Sequence, residues 1–316
     1  MKRFLVKCLL LALIVGGILH LGGLAYQRTT AYENLERNDN TQGFSRMPEQ
    51  IDLAVLGPSH GMEDFLVFPE GRTAFNFALS SQTAQYDWMM LRQYGDRLAD
   101  GAVVVMTVSY LSPFWNDTPE QFQAKQERYY RVLDPWNIVD VDLAHWVLQR
   151  FSPLLVNAPA ETAAAFLDPE PLNPTLEEKM HTASLEEEKI PEEQERIRRN
   201  HLSSIQRSFP EVNATMWEAY HEMLELCRDK GWNAVLVVPP YSEAYNQCFS
   251  EEFFSVFWER METLSETYGV PLLDYSHDAR FTGRIDLFAD LDHLNFTGAE
   301  AFDAVAWEDL ADLGLM

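Results

Sequence analysis

The chain has 316 residues, 47% of them hydrophobic, which is enough apolar material to bury the core of one large domain or of one domain carrying an insertion. Its 49 acidic residues outnumber its 24 lysines and arginines, for a formal charge of −25. That charge repels polyphosphate, and no basic stripe with interleaved aromatics offsets it, so nucleic acid is excluded as the expected partner.

From Cys8 to Ala25 the chain is apolar apart from His20, and Lys2, Arg3 and Lys7 precede the run. A stretch of that length can cross the hydrocarbon core as a helix, and cations ahead of it favour an inside N-terminus. Residues 1–26 are therefore expected to form a membrane anchor, with everything that follows outside the cytoplasm. A cleaved signal peptide is the competing reading, because Gly23-Leu24-Ala25 resembles a small-residue cleavage site, although the run is longer than a usual signal core. Residues 27–50 are polar and read as an irregular juxtamembrane spacer.

Residues 51–316 are expected to form one folded domain. Apolar runs at 51–56, 74–79, 102–108, 234–238 and 270–273 suit strands buried on both faces, and the helical patterns at 84–98, 216–229 and 251–268 suit crossovers. The expected architecture is a three-layer α/β/α fold with a mostly parallel sheet of about five strands. Between 111 and 210 the alternation lapses, which predicts a mainly helical insertion laid over one sheet edge. The acidic run at 177–195 interleaves charges with Leu185 and Ile190 and reads as a solvated helix face, and no EF-hand spacing is present. Cys227 and Cys248 are expected at opposite ends of a strand about 20 Å long, too far apart for a disulfide, and no spacing resembles a zinc site.

Two segments carry candidate chemistry. Gly57-Pro58-Ser59-His60-Gly61 follows the first strand, where small residues allow a tight turn that exposes a serine hydroxyl. Written as G-x-S-x-G it also matches the nucleophile elbow of α/β-hydrolases, but that elbow follows several strands, with its acid and histidine on separate later loops. Here the serine follows the first strand, and an Asp-x-x-His pair, Asp290-Leu291-Asp292-His293, lies near the end of the chain. By itself Ser59 reads as a turn serine after a strand; only pairing with Asp290 and His293 gives it a chemical role.

The run Asp290-Leu291-Asp292-His293-Leu294-Asn295-Phe296-Thr297-Gly298 resembles the last block of the SGNH (GDSL-like) hydrolase superfamily, D-x-x-H continued as H-L-N, a glycine and a helix. The resemblance covers residues 51–110 and 232–315 and implies an SGNH/flavodoxin-like fold. It implies that Ser59 is the nucleophile, that His293 takes its proton, and that Asp290, ahead of the neighbouring Asp292, orients the imidazole. Asn76-Phe77-Ala78-Leu79-Ser80-Ser81-Gln82-Thr83 resembles the second block, with Ser81 where the family commonly has a glycine whose N–H faces the oxyanion. The third block, G-x-N-D, is replaced by Ser109-Tyr110-Leu111-Ser112, which puts Tyr110 near the missing asparagine. His60 and, less directly, His277 are further candidates for the site, whereas His145, His181, His201 and His221 read as surface residues. Pro239-Pro240-Tyr241 reads either as a pocket rim or as a rigid strand exit.

Membrane attachment, the atypical third block and the insertion resemble the envelope branch of the superfamily, which includes the D-alanyl-lipoteichoic acid biosynthesis protein D and alginate O-acetylation proteins. The implied activity is acyl transfer on a cell-envelope polysaccharide or other acylated polymer through an acyl-Ser59 intermediate, without cofactor or metal. The implied protein partner is a multi-pass membrane O-acyltransferase. An extracytoplasmic esterase or deacetylase, and a noncatalytic glycan-binding scaffold, are the alternatives.

Overall fold

A computed structural model describes residues 1–156 and 159–316 and divides them into two compact units, 1–45 with 126–174, and 46–125 with 175–316. The larger unit is built on a five-stranded parallel sheet of order β2-β1-β3-β4-β5, with β1 at Ile51–Leu56, β2 at Ala74–Asn76, β3 at Leu98–Thr107, β4 at Asn233–Val238 and β5 at Leu272–Asp274. The apolar runs occupy the strands because both faces are covered: Leu53, Ala54 and Val55 of β1, Val103 to Val105 of β3 and Val235 to Leu236 of β4 have no exposed surface. Helices Ala84–Tyr94, Ala214–Lys230, Glu251–Tyr268 and Phe296–Asp312 accompany the sheet. The chain leaves β1 for β2 on one side and then returns past it to β3 on the other, so the strand order reverses between β1 and β3. In open α/β sheets a crevice forms at such a point, beyond the carboxyl ends of the strands.

Where local boundaries differ from expectation, the causes are local. The helix expected over 84–98 stops at Tyr94, where Gly95 passes close under the Trp232 ring, and β3 starts at Leu98, four residues early. The added residues enter through a register break opposite Ile51 and Leu53, at the polar Asp100-Gly101 step. β2 ends at Asn76, whose side chain turns away to bond the Gly61 and Phe65 carbonyls. β5 begins only after Pro271, which has no N–H to give the ladder.

In the smaller unit the N-terminal helix Lys2–Tyr26 is long and apolar enough to cross a membrane, with a mean hydropathy of 2.4 over its best window. Its last turn enters a small core of Tyr26, Tyr32 and Ala165. The 27–50 stretch is not irregular as expected: it contains the helix Thr30–Asn38, capped by the Thr29 hydroxyl accepting the Tyr32 N–H, braced by Glu33 with Arg37, and burying Tyr32 and Asn34. The 111–210 stretch is helical, and it divides between the two units, residues 126–174 belonging with the N-terminal segment. Cys8, Cys227 and Cys248 are free thiols.

Candidate active site

The site begins with the exit from β1. Gly57 has φ +136°, and a Cβ there would fall 2.7 Å from the Thr107 side chain, so the turn both needs the left-handed region and has no room for a side chain. Its N–H donates to Asp87 Oδ1 at 2.8 Å, and Gln82 Nε2 donates to the same oxygen at 2.7 Å. Pro58 then fixes the entry to the short helix Ser59–Asp64, so that Ser59 stands at its first position, at the carboxyl end of β1 beside the strand-order reversal.

The partner segment is a closed loop. Phe288 and Leu294 pair as an antiparallel bridge, with Ala289 N–H donating to the His293 carbonyl at 2.9 Å and Asn295 N–H to the Leu287 carbonyl at 2.9 Å. Inside it Asp290 Oδ1 accepts the backbone N–H groups of Asp292 (3.0 Å) and His293 (2.9 Å). Leu294 N–H donates to Asp64 Oδ1, tying the loop to the helix that carries Ser59. Asn295 caps the C-terminal helix by accepting the Gly298 N–H. Gly298 has no substitute here, because a Cβ would lie 2.0 Å from the Leu287 carbonyl oxygen.

These two segments bring Ser59, His293 and Asp290 into one line. His293 Nε2 is 2.8 Å from Ser59 Oγ, and His293 Nδ1 is 3.0 Å and 3.1 Å from the two oxygens of Asp290. Burial opposes the charged imidazolium, but Asp290, then Asp292 and Glu63, outweigh it and hold the His293 pKa well above the ordinary histidine value. Asp290 is opposed by its own burial and drawn the other way chiefly by the His293 charge, with a net shift below the usual carboxylate range. The two carboxylates thus stabilise the imidazolium, and the ring becomes a proton acceptor for Ser59 only at pH above the ordinary histidine range.

A second group of side chains lies behind this line. The His60 ring stacks on His293 with centroids 4.5 Å apart and planes 14° from parallel, and it is buried. Burial, followed by the nearby His293 charge, lowers the His60 pKa. Asp292 is fully buried, with Oδ2 3.3 Å from His60 Nε2 and Oδ1 3.2 Å from Arg196 Nη2. The same Arg196 nitrogen reaches Asp290 Oδ2 at 3.4 Å, so one guanidinium spans both carboxylates of the loop. Arg196 belongs to the helix Ile190–Ile197, and His201 follows in the next turn. His201 Nδ1 is 3.1 Å from the Tyr245 hydroxyl and 3.9 Å from Asp292 Oδ2, and burial pushes its pKa down to about 4.

The remaining sequence candidates occupy several positions. Ser81 has φ +53° at the third position of a turn closed by Gln82 N–H on the Leu79 carbonyl, a backbone conformation that glycine usually takes. Asn76 staples the end of β2 to the Ser59 helix through the Gly61 carbonyl. Tyr110 has no exposed surface; its hydroxyl donates to Asn246 Oδ1 and its ring packs against Tyr241 and Phe257, which makes it part of an aromatic core. Tyr241 is fully buried, its ring edge on His60. His277 pairs with Ser276 and sits against Phe254.

Sequence reasoning missed Arg196 and His201. His201 is not the surface residue expected, because its helix turns it onto Tyr245 and Asp292. The acidic run around Arg196 carried no signal beyond charge alternation. His60, Asp292 and His293 do place ligand-type atoms within 4.8 Å of one another. A metal fits them poorly: the imidazoles of His60 and His293 are stacked, both nitrogens of His293 are engaged, and the Arg196 cation already sits on Asp292.

Residues 168–297 match a family model described as a protein of unknown function (DUF1574). The match covers less than half of the chain; it includes Arg196, His201 and the Asp290–His293 loop and leaves out Ser59. No curated protein matches the chain.

Proposed function

We propose that the chain is an SGNH-type serine enzyme, held in a membrane by its N-terminal helix, that transfers an acyl group to or from a cell-envelope polysaccharide through an acyl-Ser59 intermediate. The observation that carries this reading is the unbroken line from Ser59 Oγ through His293 to Asp290, at 2.8 Å and 3.0 Å. Two further features support it: the exit from β1 at the strand-order reversal, and the left-handed Ser81, which stands where the family commonly has glycine.

In this mechanism Ser59 Oγ attacks the carbonyl carbon of an ester while its proton passes to His293 Nε2, and the carbonyl electrons move to the oxygen. Asp290 stabilises the imidazolium and keeps its Nε2 aimed at the serine. Collapse of the tetrahedral adduct breaks the bond to the leaving alcohol, which takes the proton from His293. The acyl-Ser59 ester is then attacked by an acceptor hydroxyl whose proton returns to His293, and Ser59 is regenerated. The positioned base contributes about 10²–10⁴ in rate, and each oxyanion donor about 10²–10³. Ser81 N–H is the donor this reading assigns, and Tyr110, bonded to Asn246, supplies none.

The envelope setting rests on the N-terminal helix with Lys2, Arg3 and Lys7 at its start, and on the way that helix is built into the smaller unit: Tyr26 is 3% exposed and the Ser152 hydroxyl donates to the Leu19 carbonyl. A segment so packed is expected to be retained rather than cleaved. In this setting a multi-pass membrane O-acyltransferase is the expected source of acyl groups. The test is release of acetate from small acetyl esters by the purified full chain, with and without a polysaccharide acceptor. Ser59→Ala and His293→Gln are expected to lower both hydrolysis and transfer at least about 10²-fold; rates unchanged by either substitution would exclude the reading. With water as sole acceptor the enzyme is an esterase, and acetylated polymer as product distinguishes transfer.

A further inference from the structure

We infer that the smaller unit does not merely hang from its membrane helix but lies in the outer interface of the bilayer, with the helix Leu143–Phe151 and the apolar tip of Pro159–Leu167 dipping among the lipid chains. The inference goes beyond the acyl-transfer reading and does not depend on it; it requires only that Lys2–Tyr26 cross the membrane with its N-terminus inside.

The helix Leu143–Phe151 is inside out for a helix in water. Its buried position is polar, Gln149 at 7% exposure, and its Trp146 indole N–H turns inward to donate to the Leu133 carbonyl at 3.0 Å. Its apolar side chains point outward instead: Val147 is 49% exposed, Leu148 40% and Phe151 41%. A helix packed on a protein core and bathed in water places its apolar stripe on the core. On the helix Pro159–Leu167 the outermost residue is Leu167, 84% exposed, with Phe166 beside it.

The depth of this face follows from what it touches. The apolar run Cys8–Ala25 is about 27 Å long as a helix, close to the roughly 30 Å of a hydrocarbon core. The segment after Leu143–Phe151 is fastened inside that run: His20 Nδ1 lies 2.7 Å from the Phe151 carbonyl oxygen, and the Ser152 hydroxyl donates to the Leu19 carbonyl at 2.6 Å. Gly22 and Gly23 make room for it, since a Cβ at either would fall within 3 Å of Leu154 or Ser152. Leu19 and His20 are five to six residues short of Ala25, so Phe151 sits about 8–9 Å below the outer end of the run. That is the depth to which interfacial helices sink, about 5–10 Å. The exposed face of Leu143–Phe151 is therefore continuous with the lipid-facing surface of the N-terminal helix, and lipid is the occupant that this continuity selects.

The experiment places a dansylalanine at Leu148, Phe151 or Leu167 of the full chain, one per protein, in vesicles of mixed phosphatidylethanolamine and phosphatidylglycerol, with Glu252 of the larger unit as the comparison site. Leu167 is 84% exposed and Leu148 40%, and these two carry the readout if loss of the Phe151 ring, which stacks on His20 with centroids 5.3 Å apart, unfolds that variant. Blue-shifted emission at the three positions, lost when the lipids carry acyl-chain bromines, with red unquenched emission at Glu252, is the expected result. Emission that stays red marks a face in water, and blue emission untouched by brominated lipid marks a face covered by protein or by a second copy. Either outcome overturns the inference.

Discussion

Replacing Arg196 by methionine removes the guanidinium that spans Asp290 and Asp292 while keeping an unbranched apolar stem. Arg196 Nη2 bonds the same Asp290 Oδ2 that lies 3.1 Å from His293 Nδ1, at 3.4 Å, which puts the guanidinium within about 6.5 Å of the ring. Over that distance Coulomb's law gives about 2.5 kcal/mol at an effective dielectric of about 20 and about 0.6 kcal/mol at about 80. The Arg196 side chain is 32% exposed, so screening places the effect between these limits, near 1.4 kcal/mol or about one pH unit. The sign is fixed by the charges: without the guanidinium the two carboxylates favour the imidazolium further, the His293 pKa rises, and the neutral base appears only at higher pH. The assay is the second-order rate of fluorophosphonate labelling at Ser59 against pH. The wild-type acid limb is expected above the ordinary histidine value, since His293 is already raised. Arg196→Met should move the limb about one unit higher and spare the alkaline plateau, and Arg196→Lys should restore most of the position. A limb that stays in place or moves to lower pH would refute the assignment of Arg196 as the group that restrains the basicity of His293.

Other outcomes follow from the same contacts. Asp290→Asn is expected to slow labelling by about 10²–10⁴, because the amide no longer stabilises the imidazolium, whereas Asp292→Asn, which weakens the contact of a buried carboxylate with the 32% exposed Arg196, should lower stability by about 1–3 kcal/mol in chemical denaturation. Asp87 is buried and its pKa is pushed up to about 7, so the folded chain holds a proton that the unfolded chain releases near the ordinary 3.8. Stability from this group is fully present below that value and is lost as pH rises to about 7, to a total of about 4 kcal/mol; Asp87→Asn should flatten the slope of denaturation midpoints against pH in that window. Gly298→Ala forces a methyl against the Leu287 carbonyl and should cost about 1–3 kcal/mol, read as a lower Tm.

The sheet was legible because its strands are buried on both faces and leave unbroken apolar runs; β1 and the helix Glu251–Tyr268 lie where the sequence places them. The limits of β2 and β3 were not, since they depend on the Asn76 staple and on Gly95 meeting Trp232, contacts between residues far apart in the chain. The Ser59 turn and the Asp290–His293 loop could be read because each leaves a short sequence pattern: glycine and proline mark the first, and hydrogen bonds among nearby residues close the second. Arg196 and His201 could not. A charged helix looks the same in sequence whether its arginines face water or two buried carboxylates, and only the packing of Ile190–Ile197 brings Arg196 to the loop. Tyr110 shows the converse: its place in the block put it near the missing asparagine, but an aromatic ring after a buried strand is drawn into the core, where Asn246 takes its hydroxyl.

Activation of Ser59 as a nucleophile is tested most directly by intact-protein mass measurement of the full chain after exposure to a fluorophosphonate. One adduct, mapped to the peptide holding Ser59 and abolished by Ser59→Ala, is the predicted result. Labelling that persists in Ser59→Ala, or a wild-type chain that takes no adduct at alkaline pH where His293 is neutral, would contradict it.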